Sequence, residues 1–263
     1  MNRRVALVTG AARGMGAATT VRLAADGYDV LALDWCAGAD AHPYPMPTKG
    51  DLDAVADDPR AGGRVVAHVA DVRDPKAMRG AVAQALERWG RLDVAVAAAG
   101  VVAGGRPLWS TPPEEVDLLW QVDALGVWHT AAACVPAMLD GPDPSGCRFV
   151  AVASAAGDRG LFRLAAYTAA KHAVVGMVRG LAADLVGTGV TAVAVSPGAT
   201  DTPMLAATAA LYDGATTDDL ASHQLLRRAL APEEVAATVA LCCSREGAAL
   251  NGGVVAADGG FGG

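Results

Sequence analysis

Short apolar runs rich in β-branched residues recur along the chain, separated by longer stretches in which apolar positions return every three to four residues. The first kind reads as buried strand and the second as amphipathic helix. Strands are predicted at Arg4 to Thr9, Asp29 to Asp34, Arg64 to Val69, Leu92 to Ala97, Arg148 to Ala153, Val190 to Val195 and Val254 to Ala256. Helices are predicted at Met15 to Asp26, Pro75 to Trp89, Pro112 to Met138, Ala165 to Val186 and Glu233 to Cys243. The strands are nearly continuous in apolar character instead of alternating, which implies burial on both faces. Their alternation with helices implies a parallel sheet covered on each side, an α/β domain of the doubly wound type. No polar linker or internal repeat divides the chain, so a single domain over residues 1–263 is expected.

Two segments interrupt the alternation. Trp35 to Gly63 is too long for a plain connection, and Pro43, Pro45 and Pro47 forbid a helix at its front. It reads as an inserted loop followed by a short helix from Lys49 to Ala56. Thr202 to Arg228 mixes short helical pieces with Gly214 and the Thr-Asp step at Thr217-Asp218, and reads as a mobile segment covering a substrate site.

Composition narrows the function classes. With 52% hydrophobic and 19% charged residues the chain can fill a core, and its formal net charge of −7 gives no basic surplus to draw it onto nucleic acid or anionic lipid. Its longest apolar stretches, such as Val94 to Ala103, fall short of the roughly 20 residues that cross a bilayer. No membrane span is expected. Asn2, Arg3 and Arg4 precede only a brief apolar run without a signal-peptide core, so a cytoplasmic location is expected. The five cysteines (Cys36, Cys134, Cys147, Cys242 and Cys243) contain no CxxC pair and read as free thiols. The histidines His42, His68, His129, His172 and His223 form no HxxxH or HExxH pair, so no metal site is expected.

Candidate chemistry begins at Thr9-Gly10-Ala11-Ala12-Arg13-Gly14-Met15-Gly16, between the first strand and the first helix. Glycines there let backbone N–H groups and a helix N-terminus approach a pyrophosphate. Gly10, Arg13, Gly14, Met15 and Gly16 are therefore candidate cofactor residues. Asp34 ends the second strand, where a carboxylate accepts both ribose hydroxyls of NAD and repels the 2′-phosphate of NADP. Arg13 pulls the other way, toward a phosphate, and the balance favours NAD. Asp71 and Val72 after the third strand, with Ala98 and Gly100 after the fourth, line the same carboxyl edge, where small residues let an adenine ring and ribose lie close.

Tyr167 and Lys171 stand four residues apart on a predicted helix and so share a face. An ammonium beside a phenol favours phenolate, and the expectation is a Tyr167 that ionises below the usual pH 10 and exchanges a proton with an alcohol. Ser154, just past the fifth strand, is placed to hold the substrate oxygen.

On these motifs the chain resembles the short-chain dehydrogenase/reductase family over nearly its whole length. The resemblance rests on TGAARGMG, Asp34, Asp71, an AAAG segment in place of the usual NNAG, Ser154, Tyr167, Lys171 and the run Pro197-Gly198-Ala199-Thr200-Asp201-Thr202. It implies a Rossmann-like domain with seven parallel strands and a homotetramer. It further implies that Lys171 binds the nicotinamide ribose, that Gly14 to Gly16 hold the pyrophosphate, that Thr200 and Thr202 approach the carboxamide and phosphate region, and that Pro197 and Gly198 also bind the cofactor. One position departs from the family pattern. The helix asparagine that completes the proton relay is Asp123 here, within Gln121-Val122-Asp123; because the relay uses that residue's backbone carbonyl it is expected to survive with an altered pH profile. The inserted loop, with Pro43-Tyr44-Pro45, is similar to that of mycofactocin-associated, carveol-dehydrogenase-like members. This implies a loop closed over NAD that is retained through turnover, with mycofactocin as electron acceptor.

Val101, Val102, Ala155, Leu161, Phe162, Met204 and Leu205 flank the motifs and are mostly apolar, which favours a nonpolar secondary alcohol or ketone as substrate. Trp109 is expected at the edge of the substrate pocket, and Trp120 and Trp128 in helix packing. An NAD-dependent alcohol dehydrogenase or ketone reductase is the leading reading. A non-catalytic NAD(H) sensor, supported by Asp123, and a sugar-nucleotide epimerase or dehydratase are the alternatives; the second lacks the GxxGxxG turn and longer C-terminal domain usual for that class.

Overall fold

The computed structural model describes residues 3–38 and 44–262; Asn2, His42 and Pro43 lie outside the described residues. The strands are β1 (Val5–Thr9), β2 (Asp29–Asp34), β3 (Val65–Val69), β4 (Val94–Ala97), β5 (Arg148–Val152), β6 (Thr191–Pro197) and β7 (Val254–Ala257). They pair in parallel as a seven-stranded sheet of order β3-β2-β1-β4-β5-β6-β7, the Rossmann-like architecture expected from the sequence.

Alternate residues of one strand enter different cores. Val5 and Leu7 of β1 pack with Met78, Val135 and Val174, which belong to α3 (Pro75–Trp89), α5 (Gly126–Leu139) and α6 (Ala165–Asp184). Ala6 and Val8 pack on the opposite face with Leu23 of α1 (Gly14–Ala25) and Val235 and Val239 of α9 (Pro232–Cys243). Both side-chain sets of β1 are buried, which is why the strand is apolar on both faces up to Thr9.

The sheet order fixes where a site can form. From β1 the chain builds outward through β2 and β3, then returns to place β4 on the other side of β1, with Thr9 opposite Ala97. The loops leaving β1 and β4 therefore part at the carboxyl edge and open a crevice between them. Thr9 Oγ1 ties the two loops together by accepting from the backbone N–H groups of Ala98 and Ala99 at 3.1 and 3.2 Å.

The inserted segment carries α2 (Lys49–Ala56), started by a capping box between Thr48 and Asp51, as expected. The covering segment contains α7 (Pro203–Ala209) and α8 (Thr217–Ala221). One expected helix is not continuous. The stretch predicted as Pro112 to Met138 is α4 (Pro113–Leu119), a π-helical turn over Trp120–Leu125, and then α5. The wider turn inserts an extra residue into the helix, an irregularity that periodicity cannot reveal because the apolar spacing on either side stays helical. By length and composition the helical run Pro113–Leu139 is apolar enough to cross a bilayer, contrary to the expectation from apolar stretches alone, but half of its most apolar window is buried inside the fold.

The expectation that Trp120 and Trp128 pack between helices is corrected. Both are exposed, as are Leu108, Trp109 and Val116 close by in sequence, so this helical pair turns an apolar surface outward.

Candidate active site

The crevice between the β1 and β4 loops is lined by Gly10, Arg13, Gly14, Met15, Gly16, Asp34, Asp71, Val72, Ala98 and Gly100, each a predicted cofactor residue, together with Thr202. Two glycines make the cradle possible. Gly10 has φ +67°, and a Cβ there would lie 2.7 Å from Ala99 Cα; a Cβ on Gly16 would lie 2.0 Å from the Gly10 carbonyl oxygen. The β1 turn thus folds back on itself and against the β4 loop at backbone contact. Its helix α1 starts at Arg13 without a side-chain cap or an acidic residue in the first turn. A pyrophosphate suits such an end, because the helix dipole and first-turn N–H groups favour negative charge.

Asp34 is 8% exposed. Its Oδ2 accepts from Ala12 N at 3.0 Å and its Oδ1 from Cys36 N at 3.3 Å. Burial raises its carboxyl above the ordinary value, while those two N–H groups and Arg13 pull it down. Beyond it, Asp71 forms a forked pair with Arg73, whose guanidinium lies 4.3 Å over the ring of Trp35. These groups, with the glycine turn, make a donor and acceptor set that fits a dinucleotide: N–H groups at the centre and a carboxylate at the adenosine end.

Arg13 is a partial correction. It borders the crevice, but its guanidinium donates to the Pro45 carbonyl and stands 5.4 Å over the Tyr44 ring. Its contacts are therefore to the inserted loop, whose Met46 and Pro47 also line the crevice. The sequence marks the loop and its Pro47 but not Met46, because only the folded path brings that side chain to the crevice.

A second cavity, about 530 Å³, adjoins the first and holds Ser154 and Tyr167. Val102, Ala155, Leu161, Phe162, Met204 and Leu205 line it as predicted, whereas Val101 faces the cofactor crevice instead. Pro197, Gly198 and Thr200, at the end of β6, also border this cavity and not the crevice; Thr202 and Met15 border both. Trp109 is 85% exposed and does not line the cavity, which corrects its expected place. Tyr212, Arg159, His223 and Phe261 do line it and were missed, since they come from distant segments with no motif of their own.

Tyr167 and Lys171 share a face of α6 as predicted, with the ammonium 5.6 Å from the Tyr167 ring centroid. Lys171 Nζ also donates to the Val152 carbonyl at 3.3 Å and lies 3.7 Å from Asp123 Oδ2. The expected lowering of the Tyr167 phenol is not found. Burial raises it above the ordinary tyrosine value and outweighs Lys171, and Asp123 adds to the rise, while a hydrogen bond from Ser154 works with the lysine. The sequence expectation counted one charge beside the phenol; the fold supplies two of opposite sign in a buried site.

Comparison with known proteins agrees with this layout. A family model of the short-chain alcohol dehydrogenase type, described as enoyl-(acyl carrier protein) reductase, matches residues 10–262. An uncharacterised NAD-dependent oxidoreductase of Mycobacterium tuberculosis is 40% identical over 207 residues, covering 78% of this chain and 74% of that protein. The (-)-trans-carveol dehydrogenase of Rhodococcus erythropolis is 37% identical over 204 residues, covering 77% of this chain and 73% of that one. The crystal structure of carveol dehydrogenase from Mycobacterium avium in complex with NAD superposes with a TM-score of 0.90 at 32% identity, over 99% of both chains. With a family model spanning nearly all of its length and relatives that share both its fold and its sequence, the chain belongs to the short-chain dehydrogenase/reductase family.

Proposed function

We propose that this chain is an NAD-dependent oxidoreductase that interconverts a nonpolar secondary alcohol and its ketone. The observation that carries the reading is the meeting of Ser154 and Tyr167 in a largely apolar cavity that adjoins the dinucleotide crevice. NAD, when bound, supplies the hydride acceptor and NADH the donor. The protein's own groups do the rest. Ser154 holds the substrate oxygen, the Tyr167 hydroxyl gives or takes its proton, and Lys171 holds the nicotinamide ribose while its charge acts on Tyr167. The apolar lining excludes water and selects an apolar substrate. Relatives named for carveol support that class.

Three finer features belong to the same reading. The Arg13 contacts to Tyr44 and Pro45 support a loop clasped over tightly retained NAD, recycled by a mycofactocin-type acceptor. The outward apolar surface around Trp120 and Trp128 supports a homotetramer. The negative net charge and free cysteines support a cytoplasmic protein without nucleic-acid partners.

The experiment is to assay cyclic secondary alcohols and their ketones with NAD(H) and with an artificial electron acceptor, alongside Tyr167→Phe. Turnover in the wild type and its loss in Tyr167→Phe, with cofactor binding kept, is the expected result. Cofactor binding without turnover of any substrate would favour the NAD(H) sensor instead.

A further inference from the structure

Asp123 sits in the π-helical turn and is fully buried. Its Oδ1 accepts from Val101 N at 2.8 Å, and its Oδ2 faces the Lys171 ammonium at 3.7 Å. An asparagine could make the same bond to Val101 with its carbonyl oxygen. It would carry no charge. The carboxylate therefore alters the charge of a closed cluster while leaving its backbone anchor in place. Among the described residues the titratable groups facing that cluster are Tyr167 and Lys171 from α6, and Tyr44 from the inserted loop, whose phenol burial pushes up to about 12. The segment after β4 contributes only the Val101 N–H.

We infer that Asp123 is a positioning residue that neutralises Lys171, so that Tyr167 is kept as a neutral phenol and the site is set to donate a proton to a ketone at neutral pH and to accept one from an alcohol only in alkaline solution. This rests on the reading of Tyr167 as the proton-transfer group. In the reducing direction the Tyr167 O–H bond breaks and the alcohol O–H bond forms, while the carbonyl carbon takes a hydride from the reduced cofactor. Oxidation reverses both changes. A neutral phenol serves the first direction at once, whereas the second must wait for ionisation. The electrostatics agree with the geometry. Burial pushes the Asp123 carboxyl up to about 6 against the pull of Lys171. Burial, the largest single effect, opposes the charge on Lys171, but Asp123 and Tyr167 together outweigh it and keep the ammonium above its ordinary value. At neutral pH Asp123 and Lys171 are an ion pair, and at Tyr167 the carboxylate opposes the pull of the ammonium.

The test is Asp123→Asn, read by the phenolate absorbance of Tyr167 against pH and by the pH profile of alcohol oxidation. Subtracting the titration of Tyr167→Phe removes Tyr28, Tyr44 and Tyr212. Asp123→Asn is expected to move both the ionisation of Tyr167 and the rising limb of oxidation to lower pH by about one pH unit or more, the size of effect a charge at such range produces. Oxidation at neutral pH then rises by about tenfold, and reduction does not. Superimposable titrations would overturn the inference. If Asp123→Asn does not fold, Asp123→Ser read by the same difference titration decides: ionisation of Tyr167 moved to lower pH supports the inference, and a titration superimposable on that of the wild type overturns it. If Tyr167→Phe instead keeps its turnover, the proton-transfer reading fails, and the ionisation titration still tells whether Asp123 and Lys171 cancel.

Discussion

The guanidinium of Arg13 lies 5.4 Å over the ring of Tyr44, so the glycine turn and the inserted loop are joined through one side chain. The same guanidinium donates to the Pro45 carbonyl, and Met46 and Pro47 follow directly along the wall of the crevice. A residue that looks made for phosphate is thus occupied in holding the loop that borders the site.

Removing that contact should speed cofactor release. Arg13→Ala loses a cation–π contact worth about 1 kcal/mol, equivalent to about a five-fold faster NADH off-rate. Stopped-flow fluorescence measures it. An off-rate equal to the wild type would show that the loop does not retain the cofactor through Arg13.

Asp34 should set the choice of dinucleotide. A carboxylate beside the ribose accepts its hydroxyls, and a 2′-phosphate in its place meets like charge in a poorly hydrated site. Asp34→Asn keeps an acceptor for Ala12 N and removes the charge. Its preference for NAD over NADP, measured by titrating both, should fall by about ten-fold or more. An unchanged ratio would remove Asp34 from that role.

Breaking the buried ion pair from the lysine side should cost stability as well as activity. Lys171→Met leaves the Asp123 carboxyl buried with its Val101 bond but without its counter-charge. The expected loss is about 3 kcal/mol in urea denaturation, much of it regained in the double variant with Asp123→Asn, where no unpaired charge remains. Additive losses in the double variant would mean that the two side chains do not interact.

At the end of the covering segment, Arg228 makes a forked pair with Glu234 at 2.7 and 2.8 Å, and Glu234 also accepts from Ala231 N at 2.8 Å. These bonds hold the Glu234 carboxyl down to about 2. A carboxyl depressed on folding adds stability above its unfolded value near 4.5, and that contribution disappears as pH falls toward about 2. The stability gap between wild type and Glu234→Gln should therefore be open at neutral pH and close in acid. A gap that widened in acid would contradict the sign.

The sequence by itself determined the sheet and the motif positions. Asp29 to Asp34 and Pro75 to Trp89 were legible to the residue, because burial on both faces makes a strand uniformly apolar and a half-buried helix periodic, and both are local patterns. The Gly10 to Gly16 turn was legible for a similar reason: a close backbone approach excludes every side chain but hydrogen. Only the tertiary structure decided how the charges add. Lys171 and Asp123 lie on separate elements, as do Arg13 and Tyr44, and nothing in either local pattern brings them together. The exposed faces of Trp120 and Trp128 and the raised Tyr167 phenol were misjudged for that reason. Periodicity reports how much of an element is apolar, whereas the field at a buried proton depends on which distant charges the packing leaves beside it, in a medium that screens them weakly.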